Sequence, residues 1–156
     1  MERLESVKIG GWCFRIDGEE RNDGVCRITN CPNLRQLEMG YKSFEDFNKF
    51  ELSNVNSLRS IEFGKECFQH VREFVIDGLA SLESVKIGFK CFIIDWNERN
   101  DGLCRITNCP NLRQLEIGDY SFADFKSFEL SNVNSLKSIK FGDGCFKYEE
   151  FSLKGK

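Results

Sequence analysis

One relation constrains this chain more than any other: it repeats itself. The segment Leu4-Glu5-Ser6-Val7-Lys8-Ile9-Gly10 returns 78 positions later as Leu82-Glu83-Ser84-Val85-Lys86-Ile87-Gly88. Residues 26–38 reappear unchanged as 104–116, and 50–58 as 128–136. Inside each copy runs a shorter period. The pattern Leu-x-x-apolar-x-apolar-Gly starts at Leu4, Leu34, Leu58, Leu82, Leu112 and Leu136, in steps of 30, 24, 24, 30 and 24. A unit this short cannot bury an apolar face alone, so its neighbours must stack on it. The chain therefore reads as one domain over residues 1–156, built from duplicated blocks 1–78 and 79–156.

Each unit resolves into two short extended stretches joined by turns. Residues such as Gln36-Leu37-Glu38-Met39 alternate polar and apolar, as a half-buried strand does. A glycine closes this stretch every time, at Gly10, Gly40, Gly64, Gly88, Gly118 and Gly142. Such a position is expected to need either a positive φ or close backbone approach. A phenylalanine stands four residues further on, at Phe14, Phe44, Phe68, Phe92, Phe122 and Phe146. In the link that follows, Phe44, Phe47 and Phe50 recur at the spacing of a tight helical turn. A second strand, such as Phe50-Glu51-Leu52-Ser53, runs into Asn30, Asn54, Gly78, Asn108, Asn132 or Gly155. Asn and Gly alternating at one place predicts a left-handed turn residue.

These motifs resemble leucine-rich repeats. Cys31-Pro32-Asn33-Leu34-Arg35-Gln36-Leu37-Glu38, and its copy at 109–116, resemble the cysteine-containing kind. The Gly-x-x-x-Phe feature, with a second strand in place of a helix, is similar to short repeats of bacterial and protist surface proteins. The resemblance covers essentially the whole chain, with one departure, since no Asn follows the first strand. It implies a mainly β leucine-rich-repeat solenoid of six coils, two short strands per coil and little or no regular helix. It also implies a non-catalytic protein-interaction scaffold.

Eight cysteines in 156 residues invite a disulfide or metal reading. The register argues for a packing role instead. Cys13, Cys67, Cys91 and Cys145 share one ladder with Ser43 and Ser121, while Cys26 and Cys104 align with Phe50, Phe74 and Phe128. Cys31 and Cys109 align with Val55, Leu79 and Val133. Free Cys packs as a small hydrophobe, so buried thiols are expected, with Cys67 and Cys91 the best-placed pair for a disulfide. Cys26-x4-Cys31 lacks zinc spacing and the chain has a single His, His70, so no metal or cofactor is expected.

The remaining chemistry is sparse. A net charge of -3 supplies no basic stripe for nucleic acid. No apolar run has the length of a membrane span, and residues 1–5 do not resemble a signal peptide. No glycine loop of the phosphate-cradling kind is present, and His70 reads as a turn residue rather than a general base. The chain is not expected to be an enzyme.

Two features point to partners. Aromatics gather beside the glycine turns, at Trp12, Tyr41, Phe89 and Tyr120, and Trp96 lies in one of two six-residue insertions. These residues are the candidate surface for a protein partner, with shielding of a sheet edge as the bland alternative. Neither end carries a polar cap, so the chain is expected either to belong to a longer array or to pair end to end as a homo-oligomer. Leu4, Ile9, Phe146, Phe151 and Leu153 would then form the contact. A structural, self-assembling module is accordingly the second reading. Free thiols fit a cytoplasmic location, with the cell surface or an extracellular site as the alternative.

Overall fold

The computed structural model describes residues 3–14, 24–45, 47–94, 102–146 and 150–154. Among them the chain is mainly β, with no helix. The strands are β1 (Ser6–Ile9), β2 (Gly24–Thr29), β3 (Gln36–Met39), β4 (Phe47–Ser53), β5 (Ser60–Phe63) and β6 (Glu73–Asp77). They continue as β7 (Ser84–Ile87), β8 (Leu103–Thr107), β9 (Gln114–Ile117), β10 (Ser127–Ser131), β11 (Ser138–Phe141) and β12 (Glu150–Lys154). Odd-numbered strands lie side by side in chain order, and even-numbered strands do the same in a second sheet. Every pairing is parallel. This order follows from the sequence repeat, because like strands of successive units become neighbours and the chain returns to each sheet only after visiting the other.

The register matches the alignment of the repeats. Lys8, Glu38, Glu62, Lys86, Glu116 and Lys140 form one continuous rung, and Cys26 stands opposite Phe50. Phe74 in turn stands opposite Cys104. Between the sheets the apolar residues interlock. Phe63 of β5 meets Phe50 of β4 and Phe74 of β6 edge to face, at 5.3 and 6.0 Å between ring centroids. Leu34, Leu58, Leu82 and Leu112 are fully buried, as the period requires. Parallel sheets are usually covered on both faces. Here the outer faces stay polar, with Glu62, Lys86 and Arg105 exposed.

The turns divide into two kinds. After the first five of the second strands, Asn30, Asn54, Asn108 and Asn132 adopt φ between 53° and 55°, and Gly78 takes φ 70°; Gly155 lies outside the described residues. The left-handed residue predicted there is observed. Asn54 donates through Nδ2 to Asn30 Oδ1 at 2.9 Å, and Asn132 to Asn108 at 2.7 Å. An asparagine ladder therefore runs beside the second sheet. Where Gly78 interrupts it, Asp77 supplies the oxygen, accepting from Thr107 at 2.6 Å and Asn108 at 2.8 Å. Those two donors hold the Asp77 carboxyl below its ordinary value of 3.8. The tight turn after the phenylalanines is a single turn, closed where the Phe47 and Phe125 amides donate to Phe44 and Phe122. Phe47 itself already belongs to β4.

Candidate interaction surface

The glycine turns overturn one expectation and meet its alternative. None of the six closing glycines has a left-handed φ. What excludes a side chain is proximity along the stack. A Cβ on Gly88 would lie 2.6 Å from the Gly64 carbonyl oxygen, and one on Gly118 would lie 2.7 Å from the Gly88 carbonyl carbon. Left-handed backbone falls instead two and four residues later. Trp12, Lys42, Glu66, Lys90 and Tyr120 have φ of 53–60°, and all six phenylalanines of the repeat have φ of 48–58°. Non-glycine residues persist there only when their surroundings over-determine them.

Those surroundings are ladders running along the stack. The Trp12 amide donates to the Tyr41 carbonyl, Lys42 to Lys65, Glu66 to Phe89, Lys90 to Asp119 and Tyr120 to Asp143, at 2.7–3.0 Å. A left-handed φ at these residues is what turns the amide toward the next unit. Behind them the rings of Phe14, Phe44, Phe68, Phe92, Phe122 and Phe146 form one stacked column. Successive centroids lie 4.8–5.3 Å apart and the planes are within 7° of parallel.

Between the two left-handed residues sits the Ser/Cys position. Ser43 donates its hydroxyl to the Gly10 carbonyl at 2.8 Å, and Ser121 to Gly88 at 2.7 Å. The Cys67, Cys91 and Cys145 thiols donate to Gly40, Gly64 and Gly118 at 3.0–3.1 Å. Serine and cysteine interchange because each is a small donor that satisfies the carbonyl of the preceding glycine. Reading these cysteines only as packing groups missed the donor role. The alternation of Ser with Cys was its trace in the sequence.

All eight cysteines are free, Cys67 and Cys91 included. Burial pushes the Cys26 thiol up to about 12 and raises Cys91, Cys104 and Cys109 as well. Such thiols stay protonated and are poor nucleophiles and poor metal ligands. Among the described residues no cluster of His, Cys, Asp or Glu is arranged to hold a metal ion, and no helix is long and apolar enough to cross a membrane.

The rim formed by the left-handed residues brings four of the five candidate aromatics together in pairs. Trp12 and Tyr41 meet edge to face at 5.5 Å, and Phe89 and Tyr120 at 6.0 Å. Each pair has its own cation. The Lys42 ammonium lies 4.8 Å from the Trp12 ring and 5.7 Å from Tyr41, and Lys90 lies 5.2 Å from Phe89. Glu66, at 3.3 Å, anchors Lys42 and raises its pKa. Trp12, Tyr41 and Tyr120 are exposed. Trp96 lies outside the described residues. Of the residues expected at the ends, Leu4, Ile9 and Phe146 are partly buried against the core. Phe151 and Leu153 lie in β12, where only the backbone is described.

The two pairs are not simple copies of each other. Offset by 78 positions, Gly11 corresponds to Phe89, Trp12 to Lys90, Tyr41 to Asp119 and Lys42 to Tyr120. Every one of these four positions has changed, in a chain whose residues 26–38 and 104–116 are identical. Both blocks nevertheless hold one edge-to-face aromatic pair across their first two units, with a lysine on it. In comparisons with protein-family models, curated proteins and solved structures, nothing matches the chain.

Proposed function

We propose that the chain is a non-catalytic protein-interaction scaffold, a six-coil solenoid of leucine-rich-repeat type that engages a protein partner through its aromatic rim. The observation carrying this reading is the pair of rim clusters. At the left-handed rim position Gly144 shows that glycine is accommodated, yet five units place Trp, Lys, Glu, Lys and Tyr there. A large side chain kept at a conformation favouring glycine serves something other than the turn. The clusters have also changed every residue between the blocks while retaining the same aromatic–lysine composition. Trp and Tyr are enriched among the residues that anchor protein interfaces, and a cation over such a ring adds a favourable contact.

The clusters lie three units apart, about 14 Å at the ordinary spacing of strands. An extended partner segment of roughly four or five residues spans that distance. The free, buried thiols support a reducing compartment such as the cytoplasm, with the cell surface as the alternative. The reading is tested by retaining partners on the immobilised chain. A polypeptide held by the parent chain should be lost from both the Trp12→Ala/Tyr41→Ala and the Phe89→Ala/Tyr120→Ala variants, with melting temperatures near that of the parent. Equal retention by all three proteins would remove the rim from the argument.

A further inference from the structure

The rim carries charges as well as rings, and their order along the stack is asymmetric. Lys65 stands in the third unit, Lys90 in the fourth, Asp119 in the fifth and Asp143 in the sixth, all exposed. None of the four has an ion-pair partner among the described residues. Lys42 and Glu66 neutralise one another at 3.3 Å and leave the balance unchanged. The free cations therefore lie between the two aromatic pairs or against the second, and the free anions lie at the second pair and beyond it.

The backbone of this edge offers a partner little to read. At the left-handed positions the amides of Trp12, Lys42, Glu66, Lys90 and Tyr120 are already spent on carbonyls of the next unit. The Asp143 amide donates to Asp119 Oδ1 at 2.9 Å, which fixes that carboxylate on the rim. Recognition is left to the side chains.

The asymmetry comes from divergence between the blocks. Tyr41 and Lys65 correspond to Asp119 and Asp143. Two identical rims would offer a partner the same contacts in two registers, one block apart. A lysine in one block and an aspartate at the equivalent place in the other remove that ambiguity.

We propose that the partner at this rim is an extended polypeptide segment whose facing side chains run apolar, acidic, apolar, basic from the Trp12–Tyr41 pair toward Asp143. This rests on the rim being the interaction surface and adds the chemistry of its occupant. The spacing carries it. With strands about 4.8 Å apart, and distances taken from the middle of the Trp12–Tyr41 pair, Lys65 lies about 7 Å along the stack. The Phe89–Tyr120 pair lies at about 14 Å, and the midpoint of Asp119 and Asp143 at about 19 Å. In an extended chain alternate side chains face one way, so positions i, i+2, i+4 and i+6 fall at about 0, 7, 13 and 20 Å. Each meets a complementary group: an apolar side chain on the first pair, a carboxylate on Lys65, an apolar side chain on the second pair and a cation on the aspartates. Lys90, 5.2 Å from the Phe89 ring, adds to the attraction for the acidic side chain. Exchanging the two partner charges sets like against like at both places.

Two end-capped heptapeptides of equal composition test this by NMR titration of the full chain: Phe-Ser-Glu-Ser-Phe-Ser-Lys and its charge-exchanged form Phe-Ser-Lys-Ser-Phe-Ser-Glu. The first should bind more tightly on the order of tenfold at low salt, the effect of two exposed charge contacts changing sign. The margin should shrink as salt screens the charges. The Lys65→Asp/Asp143→Lys variant should reverse the preference. Equal binding of both peptides by the parent would overturn the proposal, as would an unchanged preference in that variant or no binding of either peptide. The Trp12→Ala/Tyr41→Ala variant keeps two failures apart. If it loses peptides that the parent binds equally, the rim stands as the surface and only the charge order fails. If it binds the first peptide as the parent does, the rim reading fails and the charge order with it.

Discussion

The first and fourth units carry almost the same residues and live in different environments. Leu4, Val7, Ile9 and Phe14 are matched by Leu82, Val85, Ile87 and Phe92. The latter four are all buried, while Phe14 is 57% exposed and Leu4, Val7 and Ile9 are only partly covered. The same contrast holds for the glycines. A Cβ on Gly88 would collide with the backbone of the preceding unit, whereas at Gly10 the nearest atom, Cys13 Sγ, is 4.0 Å away. Local sequence is equal in the two places, so the difference comes from what is stacked on each side. A residue in this architecture is worth what its two neighbouring units make of it.

The comparison can be broken most directly at the phenylalanine column. Phe92→Ala should cost about 3–5 kcal/mol, as an aromatic deleted from a closed core does, while Phe14→Ala should cost under about 1 kcal/mol. Equal losses in urea melts of the two variants would show that the column is not the source of the difference. A smaller effect is expected at the glycines. Gly88→Ala forces backbone apart and should cost about 1–3 kcal/mol, while Gly10→Ala should stay within roughly 0.5 kcal/mol of the parent. If Gly10→Ala proved as damaging as Gly88→Ala, local conformation rather than stacking would govern the position.

The last comparison concerns the thiols of the same two units. Burial pushes Cys26 up to about 12 and also raises its counterpart Cys104. A thiol whose folded-state pKa exceeds its unfolded value of 9.0 holds its proton longer in the native chain. The stability this contributes is complete below pH 9 and is lost as pH rises toward 12. The melting temperature should therefore fall across that window, and fall less for Cys26→Ala. A flat alkaline profile for the parent would show that these thiols ionise in the native state as readily as in the unfolded one.

Much of this was legible in the residues. The steps of 24 and 30 predicted which positions share a rung, and the observed pairing of Lys8 through Lys140 follows that alignment. Asn30, Asn54, Gly78, Asn108 and Asn132 betrayed a left-handed turn because those two residue types tolerate it. The second kind of turn was not legible. Glycine drew attention to Gly10, Gly40 and Gly64, but the positive φ belongs to Phe14, Phe44, Phe68 and their rim neighbours. Nothing in the intrinsic preference of phenylalanine or tryptophan announces a left-handed backbone. It is imposed by amide-to-carbonyl bonds between units, which no single unit can form.

The rim follows the same logic. That Trp12, Tyr41, Phe89 and Tyr120 lie near one edge is readable from their offsets after the glycine. That Trp12 meets Tyr41, and Phe89 meets Tyr120, depends on which units adjoin and on the angle the left-handed residue gives each side chain. Periodicity and residue type therefore settle which side chains share a ladder and which ladders are apolar, because both are properties of spacing along the chain. Stacking alone decides which glycines must remain glycines, which phenylalanines are buried and which aromatics pair. Those outcomes depend on atoms a full unit away, brought within van der Waals contact only by the finished sheets.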